Sequence, residues 1–453
     1  MAQQDKPDTG MSRGELRTAL SLSSVYALRM LGLFMILPVF ALYAADLEGV
    51  TPALAGLAIG AYGMTQALLQ IPAGLLSDRI GRKPVIIGGL VIFALGSLVA
   101  ASADTILMVI LGRFLQGAGA IAAAIMALAA DLTREQHRIK TMALIGMSIG
   151  LSFAAAMILG PLLNGWIGVP GIFALTAVLA AGGIAVIVWL VPTPAVTRMH
   201  REAEAMPAQF GRVLRNPDLL RLDFGILMLH TILTASFVVL PLILRDEAGI
   251  AAEHHWMVYL PVLLCSVLAM LPLIIQAERK GHTRPVFLFA IALLMVAELG
   301  LFFLPVSVPG VVFMLFVFFT AFNLLEAMLP SLVSRVAPAD CRGTAMGFYS
   351  SAQFSGVFLG GSLGGVLHGL YGLHAIFLIS AAGALLWLLL AFSMSRPEKL
   401  SSYIYRIASP VDVVGLDQRL TALAGVTEAV VIAEEGVAYL KVDKQVFDES
   451  QLP

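Results

Sequence analysis

The stretch GLLSDRIGRKPVI, residues 74–86, places four charged side chains between two long apolar runs. Its glycines at positions 74 and 81 and its proline at position 84 are typical of turns and helix ends. Hydrocarbon offers no water to charged groups or to free backbone groups. If the flanking runs cross a membrane, this stretch must be a tight loop at one membrane face.

The composition indicates that the flanking runs do cross a membrane. Of the 453 residues, 59% are hydrophobic and only 13% are charged, and the mean hydropathy is +0.91. Ordinary soluble chains carry about 25% charged residues. We therefore predict a polytopic membrane protein. No nucleotide-binding loop, nucleophile elbow or metal-ligand cluster occurs in the sequence, so we expect no enzyme, no cofactor, no metal and no nucleic-acid partner.

The apolar runs divide the chain into two groups. A membrane-spanning helix needs about 20 apolar residues, and the sequence contains twelve such runs, six on each side of a polar, basic segment. The predicted spans are 19–45, 53–76, 84–102, 105–130, 141–164, 170–191, 219–244, 256–277, 285–305, 309–334, 343–368 and 373–395. The predicted organisation is a tail (1–18), a first six-helix bundle (19–191), a linker (192–218), a second six-helix bundle (219–395) and a C-terminal domain (400–453).

The distribution of lysine and arginine predicts the orientation. Nearly all such residues in the tail and the loops fall on the side of the N-terminus, and Arg245 is the exception. Because basic loops stay in the cytoplasm, both termini are predicted to be cytoplasmic.

The two bundles are related by an internal repeat. The segment AERKGHTRPV at 277–286 is similar to SDRIGRKPVI at 77–86, and GGVLHGLYG at 364–372 is similar to GPLLNGWIG at 160–168. Parallel repeats of this kind predict a substrate cavity between two halves that rock to give alternating access.

Residues 400–453 are rich in charge and show a different periodicity. Residues 403–408 alternate as in a strand, and Leu416, Leu420 and Leu423 share one helix face. Two further strands, 426–433 and 437–442, read as a hairpin. The order β-α-β-β predicts a small ferredoxin-like domain without room for a fourth strand.

These motifs resemble those of the major facilitator superfamily. Residues 74–86 match its loop 2–3 signature, and LGRFLQGAGA at 111–120 is similar to its helix 4 signature. LGLFMILP at 31–38 resembles the first-helix signature of drug:proton antiporters, whereas GPLLNG at 160–165 is a degraded form of their helix 5 signature. The run LTALAGV at 420–426 resembles heavy-metal-associated domains, but SPVDVVG at 409–415 lacks their Cys-x-x-Cys pair, so no metal is expected there.

The resemblance implies a gating role for residues 74–86. In the family, the acid of this motif, here Asp78, meets the start of span 11 near Arg342. The arginine, here Arg82, pairs with an acid at the end of span 4, here Asp131. The predicted gating residues are Gly74, Asp78, Arg79, Gly81, Arg82, Lys83, Asp131 and Arg342. The alternative is that these charges only set topology.

Charged groups inside spans are the candidates for proton coupling, because burying them in hydrocarbon is costly. The resemblance assigns Arg113 to coupling, and Arg29 lies in the middle of span 1. Glu326 and His230 are candidate proton carriers, while the resemblance places Glu298, in span 9, at the periphery. Structural ion pairs or hydrogen bonds are the alternative for each. Polar side chains that could line the cavity or bond to neighbouring helices are Tyr62, Gln66, Gln70, Gln116, Ser148, Ser152, Asn323 and Gln353.

Together, these features predict a secondary transporter of the bacterial inner membrane. The expected reaction is proton-coupled efflux of small hydrophobic or amphipathic compounds, with protons as the coupling ion. Its expected partners are a small-molecule substrate, the lipid bilayer and a cytosolic ligand of the C-terminal domain, and a monomer is expected. The alternatives are an exporter of one metabolite, such as a sugar or amino acid, and a transporter-derived sensor.

Overall fold

The apolar runs form long helices, since a helix satisfies its own backbone hydrogen bonds where no water is available. The computed structural model describes residues 10–194, 204–279, 281–394, 400–407, 415–433, 436–443 and 446–452. Within these residues, nine helical segments are long and apolar enough to cross a membrane. They are followed by a small three-stranded sheet, so the predicted fold class is confirmed.

The first half contains helices that are interrupted at three glycine or proline sites. The chain turns at Pro38 between the first two helices, breaks at Gly119 between the fifth and sixth, and bends at Gly168, whose φ of 65° suits glycine. The sequence analysis did not predict the first two interruptions. The helices are α1 (Arg13–Phe34), α2 (Phe40–Ala44), α3 (Pro52–Ile80), α4 (Arg82–Ala101), α5 (Ile106–Ala118), α6 (Ala122–Leu132) and α7 (Glu135–Trp189).

The second half begins with a short helix and continues with six long ones. Its helices are α8 (Phe210–Leu214), α9 (Pro217–Asp246), α10 (Trp256–Glu278), α11 (Thr283–Phe303), α12 (Val308–Val336), α13 (Arg342–Tyr371) and α14 (Ala375–Phe392). Helices α1 and α13 fall outside the nine apolar segments because α1 carries several charges and α13 is rich in glycine and serine. Helix α7 contains two predicted spans, so each of the twelve predicted spans has a helical counterpart.

The two halves meet most closely where α3 crosses α13. A methyl group added at Gly361 would lie 2.5 Å from Gly60 N and 2.6 Å from Gly56 O, so only glycine allows this approach. Nearer the other end of the same helices, Ser351 Oγ donates a hydrogen bond to Ala67 O at 3.1 Å. Helices α3 and α13 are therefore in contact over much of their length.

We call the end of the bundle that carries Arg82 the basic end and the opposite end the far end. Toward the far end, the second helix packs on α9, with Phe40 and Val239 in one buried cluster. Midway through the bundle, Phe153 of α7 contacts Phe322 of α12, with ring centroids 5.8 Å apart. Aromatic side chains from both halves therefore meet at the centre of the molecule.

The C-terminal residues form strands β1 (Leu400–Arg406), β2 (Val426–Ile432) and β3 (Val437–Asp443), with helix α15 (Leu416–Thr421) between β1 and β2. The sheet is antiparallel in the order β1-β3-β2. Leu416 and Leu420 of the helix pack on Leu440 and neighbouring side chains of β3. Alternate residues of β3 face the other way and are available for contact with the membrane helices.

Candidate functional site

The gating motif, residues 74–86, forms a sharp turn between two helices at the basic end. Helix α3 ends at Ile80, Gly81 adopts a φ of 97°, and α4 begins directly at Arg82. That φ lies in the region that favours glycine, which explains the Gly in the signature. A methyl group added at Gly74 would lie 3.0 Å from Ala123 Cβ, so this glycine allows α3 to approach α6.

Arg82 is the centre of a buried charge cluster. Its residue is 2% exposed, and its guanidinium contacts the Asp78 carboxylate one turn earlier in the chain. Nε donates to Asp131 Oδ2 at 3.3 Å, and Nη1 donates to Ser77 Oγ at 2.9 Å. Nη2 donates to Glu204 Oε1 at 2.5 Å. Three carboxylates therefore share one guanidinium, and the sequence analysis missed the third.

Glu204 begins a described part of the linker, residues 204–212, which we call the linker segment. Its Met206 N–H donates to Thr344 Oγ1 at 2.9 Å, in the first turn of α13. Thr344 Oγ1 in turn donates to Gln209 Oε1 at 2.7 Å. The described ion pair of Asp78 is with Arg82. The start of α13 bonds instead to the linker segment. Arg342 is the first residue of α13 and also has an interaction partner.

The linker segment is attached to the loop between α12 and α13 by a second set of contacts. Gln209 Nε2 donates to Asp340 O at 2.9 Å, and Arg212 Nη1 donates to Asp340 Oδ2 at 2.8 Å. Although burial lowers the pKa of Arg212, the Asp340 carboxylate raises that pKa above its ordinary value. The neighbouring Cys341 is buried, and burial, with Asp340 beside it, raises the pKa of its thiol to about 12.

The remaining basic residues of the motif differ in their surroundings. Lys83 Nζ donates to the carbonyl of Val191, at the end of α7, which ties α4 to the last helix of the first half. Arg79, in the last turn of α3, is exposed. This position suits a cation near a helix C-terminus.

Arg29 lies deep inside the first half and is 1% exposed. Its Nη2 donates to Gln66 Oε1 at 2.7 Å and to Gly119 O at 3.1 Å, at the break between α5 and α6. Gln66 extends this hydrogen-bond network, since its Nε2 donates to Gln70 Oε1 at 2.6 Å. Tyr62 OH also donates to Gln66 Oε1, at 3.3 Å. The predicted polar stripe on α3 is thus hydrogen-bonded within the first half.

Arg113 also lies near the ring of Tyr62. Its guanidinium carbon lies 5.4 Å from the Tyr62 ring centroid, and that of Arg29 lies 5.7 Å away. Arg113 Nε donates to Ala58 O at 3.2 Å, and Nη1 donates to Gln116 Oε1 at 2.9 Å. Gln116 Nε2 donates onward to Ser97 Oγ at 2.7 Å. Among the described residues, the partners of both arginines are therefore backbone carbonyls, side-chain amides and aromatic rings.

In the second half, one amide joins the two candidate proton carriers. Gln353 Nε2 of α13 donates to Glu326 Oε1 of α12 at 3.2 Å and contacts His230 Nε2 of α9 at 2.9 Å. Because an amide nitrogen only donates, His230 Nε2 must accept, and its Nδ1 must carry the proton that faces Ile226 O at 3.3 Å. Glu326 Oε2 is buried and has no hydrogen-bond partner among the described residues.

Other predicted cavity residues are used in packing. Ser148 Oγ donates to Ile145 O at 2.7 Å, and Ser152 Oγ donates to Ala27 O at 3.1 Å, which links α7 to α1. Asn323 Nδ2 donates to Ser266 Oγ at 3.0 Å, which links α12 to α10. Hydroxyl and amide side chains in a bilayer commonly join helices in this way.

The position of Glu298 differs from the expectation of a peripheral side chain. It is completely buried, and its Oε1 accepts a hydrogen bond from Ser236 Oγ of α9 at 3.0 Å. Glu298 therefore lies on the face of α11 that packs against α9. An acidic residue within an otherwise apolar span was the available signal, because a lipid-facing carboxylate is too costly.

The C-terminal domain contacts the end of α12. Lys441 of β3 is 8% exposed, and its Nζ donates to the carbonyls of Arg335 at 2.8 Å and Val336 at 3.3 Å. Val437 and Tyr439, on the same face of β3, pack against Ala339. This face of the sheet therefore covers the loop that Asp340 attaches to the linker segment. No group of three or more metal-ligating side chains occurs within the described ranges.

Comparison with protein families agrees with this architecture. Residues 22–361 and 222–406 match the model of the Major Facilitator Superfamily. The chain belongs to this superfamily. Residues 405–449 also match the YajR YAM domain, which accounts for the C-terminal sheet.

Three known proteins are similar to the chain. It is 47% identical over 448 residues to the inner membrane transport protein YajR of Escherichia coli (strain K12), covering 98% of each chain. It is 28% identical to the multidrug resistance protein MdtH of Aeromonas salmonicida (strain A449), covering 78% of this chain and 87% of MdtH. A bacterial homologue of the human lysosomal transporter Spinster, in an inward-facing and occupied conformation, aligns with a TM-score of 0.70 at 14% identity, covering 86% of this chain and 98% of that one.

The buried charges of this facilitator are divided between its halves. Within the described membrane helices, the buried arginines Arg29 and Arg113 lie in the first half. In the second half, Glu298 and His230 are buried within membrane helices, and Glu326 is partly buried with its Oε2 atom enclosed. The two halves are therefore chemically unequal in spite of their repeated fold.

Proposed function

We propose that the protein is a proton-coupled antiporter that exports small hydrophobic or amphipathic compounds by alternating access. The observation that carries this proposal is the position of Glu326. Its buried carboxyl group has one described hydrogen-bond partner, Gln353, and that side chain is shared with His230. Gln353 belongs to α13, the helix that packs on α3 of the first half. Protonation or deprotonation of Glu326 would therefore alter the contact between the two halves.

The energetic reason for coupling is the cost of a buried charge. A carboxylate without a cation partner is expensive in an apolar interior, and protonation removes that cost. One proton moving down 100 mV supplies about 2.3 kcal/mol. That energy biases an equilibrium between two states of the bundle without fixing it completely.

The aromatic cluster between the halves supports a hydrophobic or amphipathic substrate. The rings of Phe34 and Phe153 in the first half pack edge to face, with their centroids 5.2 Å apart. The Phe153 ring also lies near that of Phe319 in the second half, with a centroid distance of 6.2 Å. Rings of this kind bind apolar groups without demanding one hydrogen-bond pattern. The likeness to a protein named for multidrug resistance points in the same direction. In this proposal the gating motif is cytoplasmic and controls access from that side.

The test compares two buried acids of the second half. In proteoliposomes with a pH gradient, a fluorescent dye reports proton release while candidate substrates are transported. We expect Glu326→Gln to retain substrate binding but to lose proton movement coupled to transport. Glu298→Gln is the control, because Glu298 is also an acid within a helix of the second half but is bonded to Ser236 of α9.

Two outcomes would contradict the proposal. Normal proton coupling in Glu326→Gln would exclude Glu326 as the carrier. Transport by the unmodified protein without proton movement for any transported substrate would exclude antiport itself.

A further inference from the structure

The linker segment contacts both halves at the basic end, and its Glu204 bonds to Arg82. We infer that residues 204–212 are a working part of the gate, and that Glu204 is the positioning residue through which they hold Arg82 to the second half. This role concerns a connecting segment, outside the gating motif and its partner acids.

Among the described residues, an ion pair joins the linker segment to the first half. Glu204 is 6% exposed, and its Oε1 lies 2.5 Å from Arg82 Nη2. Asp78 and Asp131 already oppose the charge of Arg82 from within the first half. When Glu204 departs, Arg82 therefore keeps two carboxylates, so no cation is left buried and uncompensated. This contact is the one that breaks at low cost.

The contact with the second half has more bonds. Met206, Gln209 and Arg212 together bond to the first turn of α13 and to Asp340 in the loop before it. Ala205 also packs on α13, since a methyl group added at Gly347 would lie 3.3 Å from Ala205 Cβ. The linker segment consequently moves with the second half, and the Arg82–Glu204 pair is the point of release.

Any rocking motion that separates α3 from the start of α13 at the basic end must break this pair or pull the linker segment from α13. The pair thus stabilises the conformation in which the two helices are close. The inference does not require proton coupling or a particular substrate, because it concerns the distance between halves. It can fail or succeed independently of the proposed antiport.

The test measures that distance by double electron–electron resonance in lipid nanodiscs without substrate. Spin labels are attached to cysteines at Ile80 and Ile275, which are 55% and 47% exposed and lie at the basic ends of α3 and α10. The native Cys265 and Cys341 are replaced by serine and alanine. We expect Glu204→Gln to raise the population of longer distances relative to shorter ones about tenfold, as for the loss of one buried, charged hydrogen bond. Glu204→Asp should restore much of the shorter population.

A second variant weakens the bonds between the linker segment and the second half. Thr344→Val keeps the shape of the side chain but removes the bonds to Met206 and Gln209, so it should produce a shift in the same direction. If the two sites act in series through one segment, the double variant should shift no further than the larger single shift.

The matched control is Asp218→Asn, whose carboxylate pairs with Arg221 inside α9 at 2.7 Å and crosses no boundary between halves. It should leave the distances unchanged. Unchanged distances in both Glu204→Gln and Thr344→Val would overturn the inference. An equal shift in Asp218→Asn would do the same, because it would indicate a general effect of charge. If Glu204→Gln does not fold, Thr344→Val alone decides.

Discussion

At the scale of single residues, the amide of Gln353 explains how two titratable groups can act as one site. Its nitrogen donates to Glu326 and to His230, which requires His230 to accept at Nε2. A proton added at that Nε2 would leave it without an acceptor unless the amide rotates and presents its oxygen. That rotation would withdraw the donor from Glu326. The protonation of either group is therefore linked to the hydrogen bonding of the other.

Arg29 illustrates a structural use of a buried cation. The break at Gly119 interrupts the backbone hydrogen bonding of the fourth span, and Arg29 Nη2 donates to the Gly119 carbonyl. A carbonyl that loses its donor inside a bilayer is costly. We expect Arg29→Met to lower the free energy of unfolding by about 1–3 kcal/mol, measured as a lower thermal unfolding midpoint in detergent.

The control for this prediction is Arg17→Met on the same helix. Arg17 is exposed near the start of α1, so its replacement should leave the midpoint nearly unchanged. A normal midpoint for Arg29→Met combined with lost proton coupling would instead favour a role for Arg29 in proton coupling, for which its position within a span makes it a candidate.

At the scale of helices, the crossing of α3 and α13 depends on glycines from both. Gly56 and Gly60 face Gly361 so closely that each would clash with an added methyl group on the partner helix. Close backbone contact lets dispersion forces act over a long interface, which replaces the hydrophobic effect that lipid does not provide. Rocking of the two halves would change the packing at this same interface.

Gly361→Ala should force α3 and α13 apart at this crossing. Its new methyl group would meet backbone atoms of Gly60 and Gly56, which cannot rotate away, and overpacking of this type costs about 1–3 kcal/mol. We expect a lower thermal unfolding midpoint and slower transport. Gly369→Ala on the same helix is the control, because its methyl group would lie 3.4 Å from Pro52 Cβ, an ordinary contact. Equal behaviour of the two variants would contradict this account.

The helices themselves were largely predictable, because long apolar runs and basic loops follow from the properties of the bilayer. The breaks at Pro38 and Gly119 were not predicted, since tertiary contacts such as that of Arg29 with Gly119 stabilise them. The bond between Glu204 and Arg82 joins residues 122 positions apart, and no local pattern indicates it. The proximity of Glu326 to His230 likewise depends on Gln353, a polar residue that the sequence analysis assigned only to the cavity.

At the scale of the whole molecule, four parts are joined in sequence at the basic end. The gating motif bonds to the linker segment through Glu204, and the linker segment bonds to Asp340 in the loop before α13. The C-terminal sheet covers that loop and bonds to the end of α12. A ligand that changed the docking of the sheet would therefore act on the same loop that holds the linker segment.

Lys441 is the side chain whose removal best tests this connection. Its ammonium group donates to the last carbonyls of α12, where a cation also meets the negative end of the helix dipole. We expect Lys441→Gln to loosen the sheet and to speed maleimide labelling of Cys341, which is fully buried beside the docked loop, in a Cys265→Ser background. Arg419→Gln is the control, since α15 packs on the opposite face of the sheet and should leave labelling unchanged. Unaltered labelling in Lys441→Gln would mean that the sheet does not protect this loop, and that the C-terminal domain affects transport, if at all, by another route.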